Sequence, residues 1–108
     1  MRNLEYDAES DSLYARITSK RTSLTVEISP RIGVDVSSDG RVTGVEILDA
    51  SKVISDLFHK KISKNDIEKM LCKITEEDAV YLNFELNDDR ASLAVPKAYQ
   101  SPVLSLVS

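Results

Sequence analysis

At 108 residues, with 42% hydrophobic and 30% charged residues and a formal charge of −4, the chain suits one soluble globular domain around a single core. Its apolar runs fall far short of the roughly 20 residues that span a bilayer, and "MRNLEYDAES" holds no apolar signal core, so a cytoplasmic protein with no membrane association is expected. A lone Cys72 and a lone His59 exclude a disulfide framework and a zinc finger.

The first half reads as short strands. Residues 3–6 offer an edge strand. In "DSLYARIT" Leu13, Ala15 and Ile17 alternate with Tyr14 and Arg16, and in "LTVEI" Leu24, Val26 and Ile28 alternate with Thr25 and Glu27, which is the period of half-buried strands. "IGVDV" follows after "SPR", and "SSDG" supplies a tight reversal into "RVTGVEIL". The order of these segments predicts a meander.

The period then changes. Ala50, Val53, Ile54, Leu57 and Phe58 form a helical stripe, and Ile67, Met70, Leu71 and Ile74 form a second one. Ser63, with Asp66 three residues on, is placed as an N-cap for the second helix. The last third alternates again in "AVYLNFEL" and "ASLAV", with "NDDR" as the turn, and "VLSLV" reads as a closing strand that must dock somewhere. The sequence thus predicts a single α+β domain over residues 1–108, built from antiparallel β-meanders. Two similar β units, 1–49 and 78–108, flank a central pair of short helices at 50–74.

Likeness between the two units centres on "RTSLTV" (21–26) and "RASLAV" (90–95). Placing Asp11–Tyr14 over Asp78–Tyr81 brings the hexapeptides together after a two-residue difference in turn length. Both then read as second strands of similar hairpins, with Leu24 and Leu93, and Val26 and Val95, pointing inward. Duplication and chance are left as equal alternatives.

"YDAESDSLY" and "GVDVSSDGRVTGVEILDAS" resemble the short prokaryotic family catalogued as domain of unknown function 2283 (DUF2283). The matching positions are Tyr6, Asp7, Asp11, Leu13, Tyr14, Val34, Asp35, Asp39, Gly40, Gly44, Glu46, Ile47, Leu48, Asp49, Ala50 and Ser51. The resemblance covers about residues 4–52, leaves 63–108 outside it, and implies a β-meander running into a helix. It implies no established activity. Because some relatives sit beside small toxin-like partners, it also implies an antitoxin-like, partner-binding role as one reading.

Candidate chemistry is sparse. Asp7, Glu9 and Asp11 begin like a calcium-binding EF-hand loop, but Ser12 stands where the turn glycine belongs and Thr18 where the bidentate Glu belongs. Asp7 and Asp11 are instead expected to accept backbone N–H groups at a turn. Register places Glu27, Asp35 and Glu46 opposite the apolar alternation, near Arg16 and beside the open space of Gly33 and Gly44. That face suits a cation or a basic partner, and paired carboxylates also allow acid/base work; a solvated face with cross-strand pairs is the plainer expectation. No nucleophile elbow or phosphate loop is present, and Cys72 fits a half-buried structural thiol.

Charge is uneven, since residues 52–73 carry six Lys against three acids. Lys60, Lys61 and Lys64 are therefore candidates for phosphates or for an acidic partner, although no aromatic residue interleaves with them for base stacking. The leading expectation is a non-catalytic protein-interaction or self-associating module, a homo-oligomer such as a dimer or the complement of another protein, with no catalytic residue, no metal and no cofactor. The alternatives are a small metal-dependent or acid/base enzyme using Asp35 and Glu46, and nucleic-acid binding through the basic segment.

Overall fold

The computed structural model describes residues 3–97. Ten elements follow in chain order: β1 (Leu4–Asp7), β2 (Ser12–Arg16), β3 (Leu24–Ser29), β4 (Ile32–Val36), β5 (Val42–Ile47), α1 (Ala50–Phe58), α2 (Lys64–Lys69), β6 (Leu71–Glu76), β7 (Val80–Leu86) and β8 (Asp89–Val95). The fold is α+β, with two antiparallel sheets and two helices. The larger sheet has the order β1-β2-β5-β4-β3 and the smaller has the order β6-β7-β8.

Alternation sets the faces. Across the larger sheet Leu4, Ala15, Val45, Val34 and Val26 are register partners in one row, and Tyr6, Leu13, Ile47 and Ile32 form the next inward row. Cys72, Ile74, Leu82, Phe84 and Leu93 of the smaller sheet join these rows, Ala50 and Ile54 of α1, and Ile67 and Met70 in one apolar cluster. Burying such side chains contributes roughly 1.5–3 kcal/mol each, which makes this cluster the main source of stability.

Local chemistry ends each element where it does. Asn87 takes φ 54° in the two-residue β7–β8 turn, a conformation Asn tolerates and the twist of a hairpin favours. Gly40 does the same at φ 84° between β4 and β5. Ser63 caps α2 in a capping box with Asp66, as its spacing predicts.

Three expectations are corrected. The second helix stops at Lys69, and Leu71–Glu76 is a strand, so the helical pair does not reach residue 74. Apolar residues at 67, 70, 71 and 74 satisfy a helix, but Cys72 and Ile74 satisfy a strand as well, and pairing with β7 gives β6 a hydrogen-bonding partner along its whole length. Secondly, β1 to β5 are not a simple meander. The β1–β2 hairpin lies against β5, and β3 is left at the far edge.

The hexapeptides consequently occupy different settings. "RASLAV" lies in β8, the second strand of a true hairpin with β7. "RTSLTV" runs into β3, which among the described residues pairs only with β4 and is separated from β2 by two strands. Leu24 lies on the inward side as register partner of the buried Val36, yet it is 47% exposed, because it sits at a sheet edge that nothing among the described residues covers. The closing strand expected at "VLSLV" lies outside the described residues.

Candidate interaction face on the five-stranded sheet

Opposite the core, register lines up two rows of side chains. One row is Glu5, Tyr14, Glu46, Gly33 and Glu27, and its neighbour is Arg16, Gly44, Asp35 and Thr25. All four residues singled out from the sequence, Arg16, Glu27, Asp35 and Glu46, therefore share one face. Tyr14, Glu5 and Thr25 stand with them and were not singled out. The signal for Tyr14 was present in its alternation with Leu13 and Ala15, which turns it away from the core.

Tyr14 organises the centre of this face. Its ring leans over Gly44, where an added Cβ would fall 1.9 Å from the phenol oxygen. Its hydroxyl donates to Asp35 Oδ2 at 2.8 Å, and Thr25 Oγ1 donates to Asp35 Oδ1 at 2.7 Å. Burial and the neighbouring Asp35 carboxylate push the phenol up to about 12. The open space expected at Gly44 is thus filled by an aromatic ring. Arg16 stacks 5.8 Å from the Tyr14 ring centroid and pairs with Glu5 at 3.1 Å.

Those contacts occupy Asp35, Arg16 and Glu5. Glu27 and Glu46 are exposed, and neither has a hydrogen bond or ion pair among the described residues. Both are register partners of Gly33, one from each side, so their backbones stand about 10 Å apart across β4. A Cβ at Gly33 would meet only Thr25 Cγ2, at 3.5 Å. The result is a shallow bay of about 150 Å³, floored by Gly33, walled by Ile32, Pro30 and the 42% exposed Leu48, and flanked by the two carboxylates.

The motif residues outside this face serve the fold. Asp11, at φ 54° between β1 and β2, accepts the Ser51 N–H at 3.1 Å, the Ser51 Oγ–H at 2.6 Å and the Tyr6 hydroxyl at 2.6 Å. Its carbonyl accepts the Ala50 N–H at 2.9 Å. Asp11 therefore caps α1 from a distant turn, replacing Asp49, whose side chain makes no cap bond and pairs with Arg31 at 3.0 Å. Burial alone would raise the Asp11 carboxyl, but the hydrogen bonds from Ser51 and Tyr6, with Lys64 nearby, hold it below the ordinary value. Asp7 accepts the Glu9 N–H at 3.0 Å, as turn aspartates do.

Elsewhere the candidates are dispersed. Lys60 pairs with Asp89, and Lys64 donates to the Ala8 carbonyl at 2.9 Å, while Lys61 is exposed and without a partner among the described residues. Cys72 is half-buried, and burial pushes its thiol up to about 11, far from a reactive thiolate. Among the described residues no three His, Cys, Asp or Glu side chains are placed to hold a metal ion, and no helix is long and apolar enough to cross a membrane.

Residues 3–51 match the family model described as "Protein of unknown function (DUF2283)", so the resemblance read from the motifs holds over that segment, from β1 to the first turn of α1. No curated protein and no solved structure matches the chain.

Proposed function

We propose that this protein is a non-catalytic interaction module that associates with itself, the acidic outer face of one copy receiving a lysine of another. The observation that carries the reading is the bay at Gly33, where Glu27 and Glu46 face each other across an apolar floor with no counter-charge of their own. A lysine stem lies well against Gly33 and Leu48, with its ammonium between two carboxylates.

The second copy is the partner of matching chemistry. Residues 52–73 carry a net charge of +3, and they run from α1 through the connection at 59–63 and α2 into β6, elements whose apolar residues pack into the core below the five-stranded sheet. A copy cannot fold its own lysines round to its own bay, so the complement is intermolecular. Lys61 is exposed there and, like Lys52, Lys69 and Lys73, makes no side-chain hydrogen bond or ion pair among the described residues. Contact of two different patches is head-to-tail, which closes into a ring or extends according to the rotation between copies.

Sedimentation equilibrium tests this at low and at 0.5 M salt. Association at low salt that weakens at high salt, and is lost in Glu27→Gln with Glu46→Gln, supports the reading. A monomer under every condition, or association indifferent to both substitutions, overturns it.

A further inference from the structure

Both sheets contribute residues to a groove of about 240 Å³ that shares none of its lining with the acidic bay. Thr18 and Lys20 follow β2, Arg41 and Val42 stand at the start of β5, Glu76 ends β6 and Lys97 follows β8. Alternation brings Glu76 there. It continues the inward row of Cys72 and Ile74, and across the smaller sheet its register leads to Val80 and then to Val95, both buried. Inward positions of an antiparallel strand ordinarily carry apolar side chains, yet this one carries a carboxylate. Lys97, two residues beyond Val95, brings an ammonium to the same groove, and the buried Val42 of the larger sheet gives it an apolar floor.

The charges in this groove do not satisfy one another. Lys20 is held by Asp39 at 3.2 Å, but Arg41, Glu76 and Lys97 make no side-chain hydrogen bond or ion pair among the described residues. Opposite charges thus line one concavity without pairing, and three cations against one carboxylate leave the lining net positive. Thr18 Oγ1 accepts the Lys20 N–H at 3.0 Å, which leaves the hydroxyl proton of Thr18 to donate.

We propose that this groove binds a small zwitterion, a molecule with an oxyanion group, carboxylate or phosphate, and an ammonium on the same short carbon chain. Arg41 and Lys97 receive the oxyanion, with the Thr18 hydroxyl beside them, and the planar fork of Arg41 takes two oxygens at once. Glu76 receives the ammonium. Val42 keeps water from one side, which strengthens each of these contacts. Size limits the ligand, because the groove lies below the roughly 300 Å³ at which pockets for drug-sized molecules begin. Glu76 also repels a polyanion such as a nucleic-acid backbone, so the small ligand is the better complement.

Amide chemical shifts of the full chain, followed as ligand is added at fixed ionic strength, test the proposal. The probes are inorganic phosphate and acetate, which carry the oxyanion alone, and aminoethyl phosphate and β-alanine, which add the ammonium. Saturable shifts at Thr18, Arg41, Val42, Glu76 and Lys97 are expected, with an amino-bearing probe binding more tightly than its parent anion. Whichever pair binds more tightly identifies the oxyanion, and binding of either supports the proposal. Arg41→Gln with Lys97→Gln is expected to weaken binding at least about tenfold. Glu76→Gln is expected to abolish the advantage of the amino group while the parent anion still binds. Shifts that saturate with none of the four probes, or that are unchanged in the Arg41→Gln, Lys97→Gln chain, overturn the proposal. Equal binding of the amino-bearing probes and their parent anions overturns it too. The same titration in Glu27→Gln with Glu46→Gln is expected to match wild type, so failure of this site and failure of self-association through the bay are distinguishable.

Discussion

Asp11 and Ser51 are 40 residues apart in sequence, yet the Asp11 carboxylate accepts both the backbone N–H and the hydroxyl of Ser51, at 3.1 and 2.6 Å. A β-turn thereby caps a helix, which binds the first hairpin to α1. Asp11→Ala is expected to lower stability by about 1–2 kcal/mol, the usual effect of a lost cap. Because the folded carboxyl lies below the ordinary 3.8, its contribution is present above that value and is lost as pH falls through the folded value. Denaturant titrations from pH 7 down to pH 2 check this, and Asp11→Asn should show the shallower acid slope.

The Tyr14–Asp35 bond has the opposite pH sense. Its phenol is raised from 10.0 to about 12, so the bond's contribution is complete below pH 10 and fades as pH rises through 12. Tyr14→Phe should cost about 1 kcal/mol at pH 7. The gap between variant and wild type should close in alkaline urea titrations.

Gly44 and Tyr14 depend on one another. In Gly44→Ala the new methyl occupies the place of the phenol, so Tyr14 must swing away and release Asp35. We expect Gly44→Ala to destabilise by about 1–3 kcal/mol in the native background and by clearly less in Tyr14→Ala, an interaction energy that a double-mutant cycle measures directly.

Gly33 behaves differently, since a Cβ there has room. Gly33→Ala should fold with a stability close to that of wild type, whereas Gly33→Leu should fill the bay between Glu27 and Glu46. Thermal melts test the first expectation, and low-salt sedimentation tests the second, with association lost in Gly33→Leu.

Much of this was legible in the sequence because strands announce themselves through period two. The β4 span 32–36 and the outward placing of Glu27, Asp35 and Glu46 follow from alternation alone. Strand order did not follow, because alternation says which way a side chain points and nothing about which strand lies alongside. That is why β3 was paired with β2 by proximity in sequence when β5 and β4 lie between them. The end of α2 was ambiguous for a related reason: Ile67, Met70, Leu71 and Ile74 fit a helix stripe, and only pairing with β7 decides the matter. Tyr14 over Gly44 needed both the register and the absence of a Cβ, which no single-strand pattern contains.

The most direct test of the central claim is to follow amide chemical shifts as protein concentration rises at low salt. Changes concentrated at Glu27, Gly33, Glu46 and Leu48 on one side, and at Lys60, Lys61 and Lys64 on the other, are the predicted result. Shifts confined to other surfaces, or none over the accessible range, would contradict the account.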